Sequence, residues 1–271
     1  MEKLIIIIVT YNPKINDFVN NLNVFIGSEY NIVIVDNGSS NIGIIEKSIN
    51  KVNLNDNVHL IKLKKNYGIG YAQNKAIEVF RNFDYYIFFD QDSNMESKNL
   101  NKLLDTFKKI ELEDHDIVAV GPIQDVDTDE KEYFKVSKLI SSGMLISKKA
   151  FCEIGQFKSE FFIDFIDYEW CWRALSMGRN LYKANIHFNH ETNGVNRKFG
   201  HTIDPDFRLF YIYRNATYII LYENVISLEK LRLIFRLGAK FLFQILLKNS
   251  FYRMKICLEG IHKGMMKSFN N

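Results

Sequence analysis

Tyr85-Tyr86-Ile87-Phe88-Phe89-Asp90-Gln91-Asp92-Ser93 sets five aromatic or aliphatic residues directly against two carboxylates one residue apart. An apolar run with no polar alternation reads as a strand buried on both faces, as parallel sheets require. The acids then stand at the strand's C-terminal end. Two carboxylates so placed need a counter-charge. A hard divalent cation, Mg²⁺ or Mn²⁺, supplies one when held by one or two carboxylates plus substrate phosphates. A bare Asp-x-Asp has a second reading, solvated loop acids of which one caps a helix starting near Ser97. The strand-end position favours the first.

Working outward, strand-like runs recur at residues 4–9, 31–36, 58–63 and 117–121, with helix-like segments near 15–25, 42–52, 71–80 and 98–110 between them. This βαβα alternation predicts an α/β fold with a mostly parallel sheet flanked by helices. Right-handed crossovers place the strands' carboxyl ends along one edge, where such sheets bind ligands. Polar clusters fall there: Thr10-Tyr11-Asn12, Asp36-Asn37-Gly38-Ser39-Ser40 and Asn66-Tyr67-Gly68. Later come a strand over 139–147, a helix from the segment 161–173, a last strand over 181–190 and a loop over 191–206. Two or three helices follow from Asp206.

Composition bounds the class. The chain has 271 residues, 47% hydrophobic and 25% charged, which describes a globular protein and not a disordered one. Cys152, Cys171 and Cys257 are scattered and odd in number, against a disulfide framework or structural zinc and for a reducing compartment. The apolar run 4–9 is too short for a signal-peptide core, and no stretch approaches the roughly 20 residues that span a bilayer. A cytoplasmic protein is expected.

Several other residues carry chemistry. Asp36 can accept hydrogen bonds from a base or ribose, although Asn37-Gly38 is also a strong turn pair. Gly68-Ile69-Gly70 lacks the full GxGxxG and follows the third strand, not the first, which argues against a dinucleotide loop. Between Phe161 and Arg173, Asp164, Asp167 and Glu169 sit among aromatics. Apolar surroundings push a carboxyl pKa up, as suits a general base. The alternative is that Asp167 caps a helix; for Glu169 an i,i+4 pair with Arg173 is preferred. His190 ends the last strand and is either structural or a metal or phosphate partner. Arg197, Lys198, His201 and Arg214 could each face a diphosphate or merely solvent.

Taken in order, Val9-Thr10-Tyr11-Asn12, Val35 to Ser40, Asn66 to Asn74, Phe89 to Ser93, Ser142-Gly143, Asp167 to Arg173 and His190 resemble the family 2 glycosyltransferases of the GT-A fold. The Asp-Gln-Asp-Ser form, Asp-x-Glu-Trp-Cys-x-Arg and Arg214-Asn215 look most like the rhamnosyltransferase branch. The resemblance implies a GT-A domain over 1–220 and a helical extension over 221–271. It implies donor contacts from Thr10, Tyr11, Asn12, Asp36, Asn66, Gly68, Asp90, Gln91, Gly143 and Arg214, and metal contacts from Asp92 and His190, with Mn²⁺ or Mg²⁺ as cofactor. Asp167 matches the second acid of the family's usual Glu-Asp pair, the catalytic base. Ile166 stands at the first position of that pair, so acceptor contacts differ there. The implied donor is dTDP-β-L-rhamnose, and the acceptor a glycan or lipid-linked sugar.

From Leu228 onward nine basic and two acidic residues give a net +7, against −4 for the rest of the chain. Arg232, Arg236 and Lys240 share one helical stripe, so an anionic membrane surface is expected as a peripheral partner and nucleic acid is not. A helix packed on the catalytic domain or a second subunit is the alternative. Three other functions stay open: a UDP-sugar transferase, a non-catalytic nucleotide-sugar binder, and a nucleotidyltransferase that releases pyrophosphate.

Overall fold

Along the first strand, β1 (Leu4–Thr10), Leu4, Ile6 and Ile8 pack on one face of a sheet, and Ile5 and Ile7 on the other. That period of two, with both faces apolar, is what a strand covered by helices on each side requires. We analysed a computed structural model of the chain, which describes residues 3–52, 57–123, 131–190 and 197–269, the side chain of His190 excepted.

After β1 the chain runs α1 (Ile15–Ile26), β2 (Asn31–Asp36), α2 (Ile42–Val52), β3 (Val58–Lys62), α3 (Ile69–Val79) and β4 (Tyr85–Asp90). Next come β5 (Ser93–Asn94), α4 (Ser97–Glu113), β6 (Ile117–Ile123), β7 (Tyr133–Val136), β8 (Leu145–Ser147), α5 (Lys148–Ile154) and α6 (Ile166–Ser176). The remainder comprises β9 (Asn180–His187), β10 (Asn189–His190), β11 (Arg197–Lys198), β12 (His201–Thr202), α7 (Asp206–Tyr222), α8 (Ser227–Ile245) and α9 (Ser250–Met265). The main sheet has the order β3-β2-β1-β4-β8-β6-β9-β7. The expected parallel pairing holds for β3, β2, β1 and β4, and again for β6 with β9. Helices α1, α2 and α4 cover one face, and α3, α5, α6 and α7 the other.

The structure corrects the sequence reading at three points. The strand expected over 139–147 is only β8, antiparallel to β4 and β6. The residues before it form a turn in which Gly143 has φ +83° and donates its N–H to the Phe88 carbonyl at 2.7 Å. The run expected to end at His190 is divided into β9 and β10. The edge strand β7 and the short helix α5 had no distinct periodicity to announce them. The start of the expected loop, 191–196, lies outside the described residues.

Helices α7 and α9 pack closely because α9 presents Gly260 and Gly264. A Cβ at Gly260 would stand 2.6 Å from the Phe210 carbonyl oxygen, and one at Gly264 2.5 Å from that of Arg214. No helix among the described residues is long and apolar enough to cross a membrane.

Candidate active site

The carboxyl ends of β1, β2 and β4 open into a cleft of about 830 Å³. Asp90, Gln91 and Asp92 line one wall. Asp167, at the start of α6, lines another, with Phe162, Asp164 and Tyr168. Acids 75 or more residues apart in sequence thus face one space. Beyond β4 the chain forms β5, which pairs with β10 and sets the His190 backbone opposite Ser93. The side chain of His190 lies outside the described residues.

Gln91 ties two of the loops together. Its Oε1 accepts from the Thr10 hydroxyl at 3.0 Å and the Tyr11 N–H at 2.9 Å. On the neighbouring loop, Asp36 Oδ2 accepts the N–H groups of Gly38 and Ser39 at 3.2 and 3.0 Å. Its Oδ1 is buried and has no hydrogen-bond partner among the described residues. Orphaned buried carboxylate oxygens are costly and point to a missing donor. Asn37 donates to Asn66 Oδ1 at 3.0 Å and accepts from the Tyr67 N–H at 2.9 Å. These bonds fix the turn into α3, where Gly68 has φ +92° and a Cβ would lie 2.6 Å from the Phe162 backbone. Only glycine permits that approach of the third loop to the Asp167 segment.

Asp167 is held by two backbone donors, Tyr168 N–H at 2.8 Å and Ser141 N–H at 3.0 Å. Burial nevertheless pushes its carboxyl up to about 6; the two N–H bonds oppose this and nearby Asp90 reinforces it. A carboxyl near 6 is suited to general base work close to neutral pH. Just before it, Asp164 and Phe165 both have φ +65°, a conformation uncommon for residues with a Cβ. Such strain persists where the surroundings over-determine it. Here Arg208 of α7 forks onto Asp164 with bonds of 2.8 to 3.0 Å, and Asn215 Nδ2 donates to the carbonyls of Ile163 and Asp164, each at 2.9 Å. Glu169 pairs with Arg173 at 2.8 Å, as their spacing predicts, and is buried away from the cleft lining.

Helix α8 completes the cleft with Arg236 and Lys240. Of the stripe expected to meet lipid, Lys240 pairs with Asp204 at the cleft, whereas Arg232 stays exposed and pairs within its helix with Glu229 at 2.5 Å. Beside Arg232 and Arg236, α8 also leaves large apolar residues exposed, Phe235 at 69% and Leu242 at 63% among others.

Of the residues expected to contact a donor, Tyr11, Asn66, Gly68, Asp90 and Gln91 line the cleft; Thr10, Asn12, Asp36, Gly143 and Arg214 do not. Thr10 turns its hydroxyl to Gln91, and Asn12 accepts from Ser40 at 2.8 Å. Gly143 and Arg214 lie behind the cleft lining. Gly143 is enclosed, a Cβ there meeting Pro122 at 2.6 Å, and it shapes the turn. Arg214 is wholly buried, its guanidinium 4.7 Å from the Tyr211 ring and donating to the Glu160 carbonyl. Burial lowers its pKa to about 10. Sequence reading missed Gln73, which lines the cleft, bonds Ser141 at 2.7 Å and keeps a buried amide oxygen with no hydrogen-bond partner among the described residues. Its signal was a polar residue on the apolar face of α3. The Arg208–Asp164 clamp had none, since 44 residues separate the partners.

Among the described residues no three His, Cys, Asp or Glu side chains cluster to cage a metal. The donor set still suits Mg²⁺ or Mn²⁺, which keep several waters and need only one or two carboxylates, here Asp92 and Asp90, beside phosphate oxygens.

The sequence matches the glycosyl transferase family 2 over residues 5–201. The dTDP-rhamnosyl transferase RfbF of Shigella flexneri is 33% identical over 201 residues, 64% of this chain and 63% of that protein, just under two thirds of its length. In solved structures the fold is shared with Staphylococcus aureus TarS residues 1–349 in complex with UDP-GlcNAc (TM-score 0.64, 14% identity, 98% of this chain and 88% of that one). It is shared also with the mannosyltransferase PcManGT of Pyrobaculum calidifontis in complex with GDP-Man and Mn²⁺ (TM-score 0.58, 13% identity, 97% and 75%). With a family match across most of its length and this GT-A architecture around the cleft, the chain belongs to glycosyl transferase family 2.

Proposed function

We propose that the protein is an inverting, metal-dependent glycosyltransferase that takes L-rhamnose from dTDP-β-L-rhamnose and passes it to a hydroxyl of a glycan or lipid-linked acceptor. The observation that carries this reading is the single cleft with Asp92 on one wall and Asp167 on another. The rhamnosyl relative favours the donor. A UDP-sugar donor is the second reading, favoured by the UDP-GlcNAc complex of TarS.

The nucleoside would lie across the β1 and β2 ends, where the free Asp36 oxygen awaits a donor and Tyr11, Asn37 and Asn66 line the space. Asp92, with Asp90 beside it, would hold Mn²⁺ or Mg²⁺, which when bound supplies positive charge beside the leaving diphosphate. Asp167 takes the proton of the acceptor hydroxyl. The oxygen then attacks the anomeric carbon from the face opposite the diphosphate, so one displacement inverts the configuration. Ser141 and Tyr168 N–H groups keep the Asp167 carboxylate aimed, and the Arg208 clamp holds the strained turn before it. We place the protein in the cytoplasm; the exposed apolar side of α8 supports peripheral contact with the inner face of the membrane.

Incubation with dTDP- and UDP-sugars and Mn²⁺, followed by product analysis, tests the reading. Release of dTDP from dTDP-rhamnose is expected. Pyrophosphate release would instead identify a nucleotidyltransferase, and the absence of any turnover or thermal stabilisation by every sugar nucleotide would end the proposal.

A further inference from the structure

Helix α8 carries a second, exposed stripe. Leu228, Leu231, Phe235, Leu242 and Ile245 follow one another at alternating steps of three and four residues once Gly238 is counted between Phe235 and Leu242, and each of the five is at least 49% exposed. Glu229, Leu233 and Gln244 are the residues that α8 buries against the body of the protein. Steps of three and four are the spacing by which one helix seats its side chains on another. Gly238 is the one member of the stripe without a side chain, and nothing among the described residues stands within 4 Å of where its Cβ would be. Gly260 and Gly264, by contrast, admit α7. A glycine inside a helix weakens it relative to alanine, so one that admits nothing of its own chain points to an element that approaches from outside.

The stripe is its own complement. Turned end for end about the midpoint of residues 236 and 237, it sets Leu228 against Ile245, Leu231 against Leu242 and Phe235 against Gly238, so that the largest side chain meets the gap. A two-fold axis through that midpoint does this for both copies at once. The same register keeps basic residues apart: Arg232 falls beside Ala239 of the partner subunit, and Arg236 lines the cleft, off the seam. With half-exposed Ile234 at its edge, the stripe has six large side chains; at about 100 Å² each they offer about 600 Å² per copy, the lower end of what specific interfaces bury on each partner. We propose that two copies of this chain pair through antiparallel α8 helices, Phe235 of each seated over Gly238 of the partner subunit. The pairing does not depend on the transferase reading, and it leaves Arg232 and Leu246 along one edge for the lipid contact proposed there.

Sedimentation of the full chain at micromolar concentration should give twice the 31.9 kDa of one copy. Leu231→Glu should weaken the dimer at least tenfold by burying an unpaired charge. Leu231→Glu combined with Leu242→Lys in one chain should restore it to within about threefold of wild type, since the reversed register sets each glutamate against a lysine. The same two charges at 231 and 228 should not restore it. Gly238→Leu, for which the single chain has room, should not lower the melting temperature of the chain diluted to monomer, yet should weaken the dimer at least tenfold by meeting Phe235 of the partner subunit. Flotation with vesicles of phosphatidylglycerol and phosphatidylethanolamine separates the other occupant. If lipid alone covered the stripe, wild type would be monomeric in solution and Gly238→Leu would bind the vesicles more tightly. A monomeric wild type, a dimer that survives both Leu231→Glu and Gly238→Leu, or a dimer that Leu242→Lys fails to restore overturns the proposal.

Discussion

Replacing Asp167 by asparagine should give a protein that is more stable and inactive. The magnitude follows from the surroundings of the carboxyl. Held at about 6 where its ordinary value is 3.8, the ionised group makes the fold about 3 kcal/mol less stable at neutral pH. This penalty is absent below the unfolded value, grows as pH rises toward the folded one, and is complete above about 6. Asparagine removes it but offers one carbonyl oxygen to two N–H donors, so the bond to Tyr168 or Ser141 is lost at about 1 kcal/mol. The net gain of about 2 kcal/mol corresponds to a rise in melting temperature of about 4–8 °C at pH 7.5. At pH 4 the penalty falls below about 1 kcal/mol, and the two proteins should melt together. Without its base the variant should turn over about 10²–10⁴-fold more slowly. Differential scanning calorimetry in EDTA at both pH values, with a sugar-nucleotide turnover assay, reads all three quantities. Wild-type turnover would remove Asp167 from the chemistry. A lower melting temperature at pH 7.5 would mean that the carboxylate is a structural anchor.

Three further outcomes are expected. Asp92→Asn should abolish most of the Mn²⁺-dependent thermal stabilisation by the donor while leaving the melting temperature of the unliganded protein within about 1 °C, because Asp92 is exposed. Gly68→Ala should destabilise the fold by several kcal/mol in urea denaturation, since the new methyl would stand 2.6 Å from the Phe162 backbone at φ +92°. Glu169→Gln should cost about 3–5 kcal/mol by stranding Arg173 beside its buried partner, with dTDP affinity in the folded fraction unchanged; loss of dTDP affinity would place Glu169 in the site.

The parallel half of the sheet was legible because runs such as Ile5 to Val9 and Tyr85 to Phe89 admit few other readings, and strand ends then locate the polar loops. The acids at 90, 92 and 167 were legible for the same reason: carboxylates pressed against apolar runs are conspicuous. Arg214 misled because sequence proximity to Asn215 carries no information about which way a helical side chain points; it lies under Tyr211 and Phe269. The stripe Arg232-Arg236-Lys240 was read correctly as one face, but periodicity says nothing of what that face meets. The clamp of Arg208 on Asp164 and the bond from Ser141 to Asp167 join elements remote in sequence, and only the packed chain brings them together.

Arg208 and Asn215 belong to α7, which is synthesised after every acid of the cleft. A nascent chain extended only through α6 holds the acids at 90, 92, 164 and 167 but lacks the grip on the Asp164–Phe165 turn. It also lacks the glycines of α9 against which α7 settles. If the chain is the transferase proposed above, its competence should therefore switch on late in translation, which would guard a half-made protein against spending activated sugar on water.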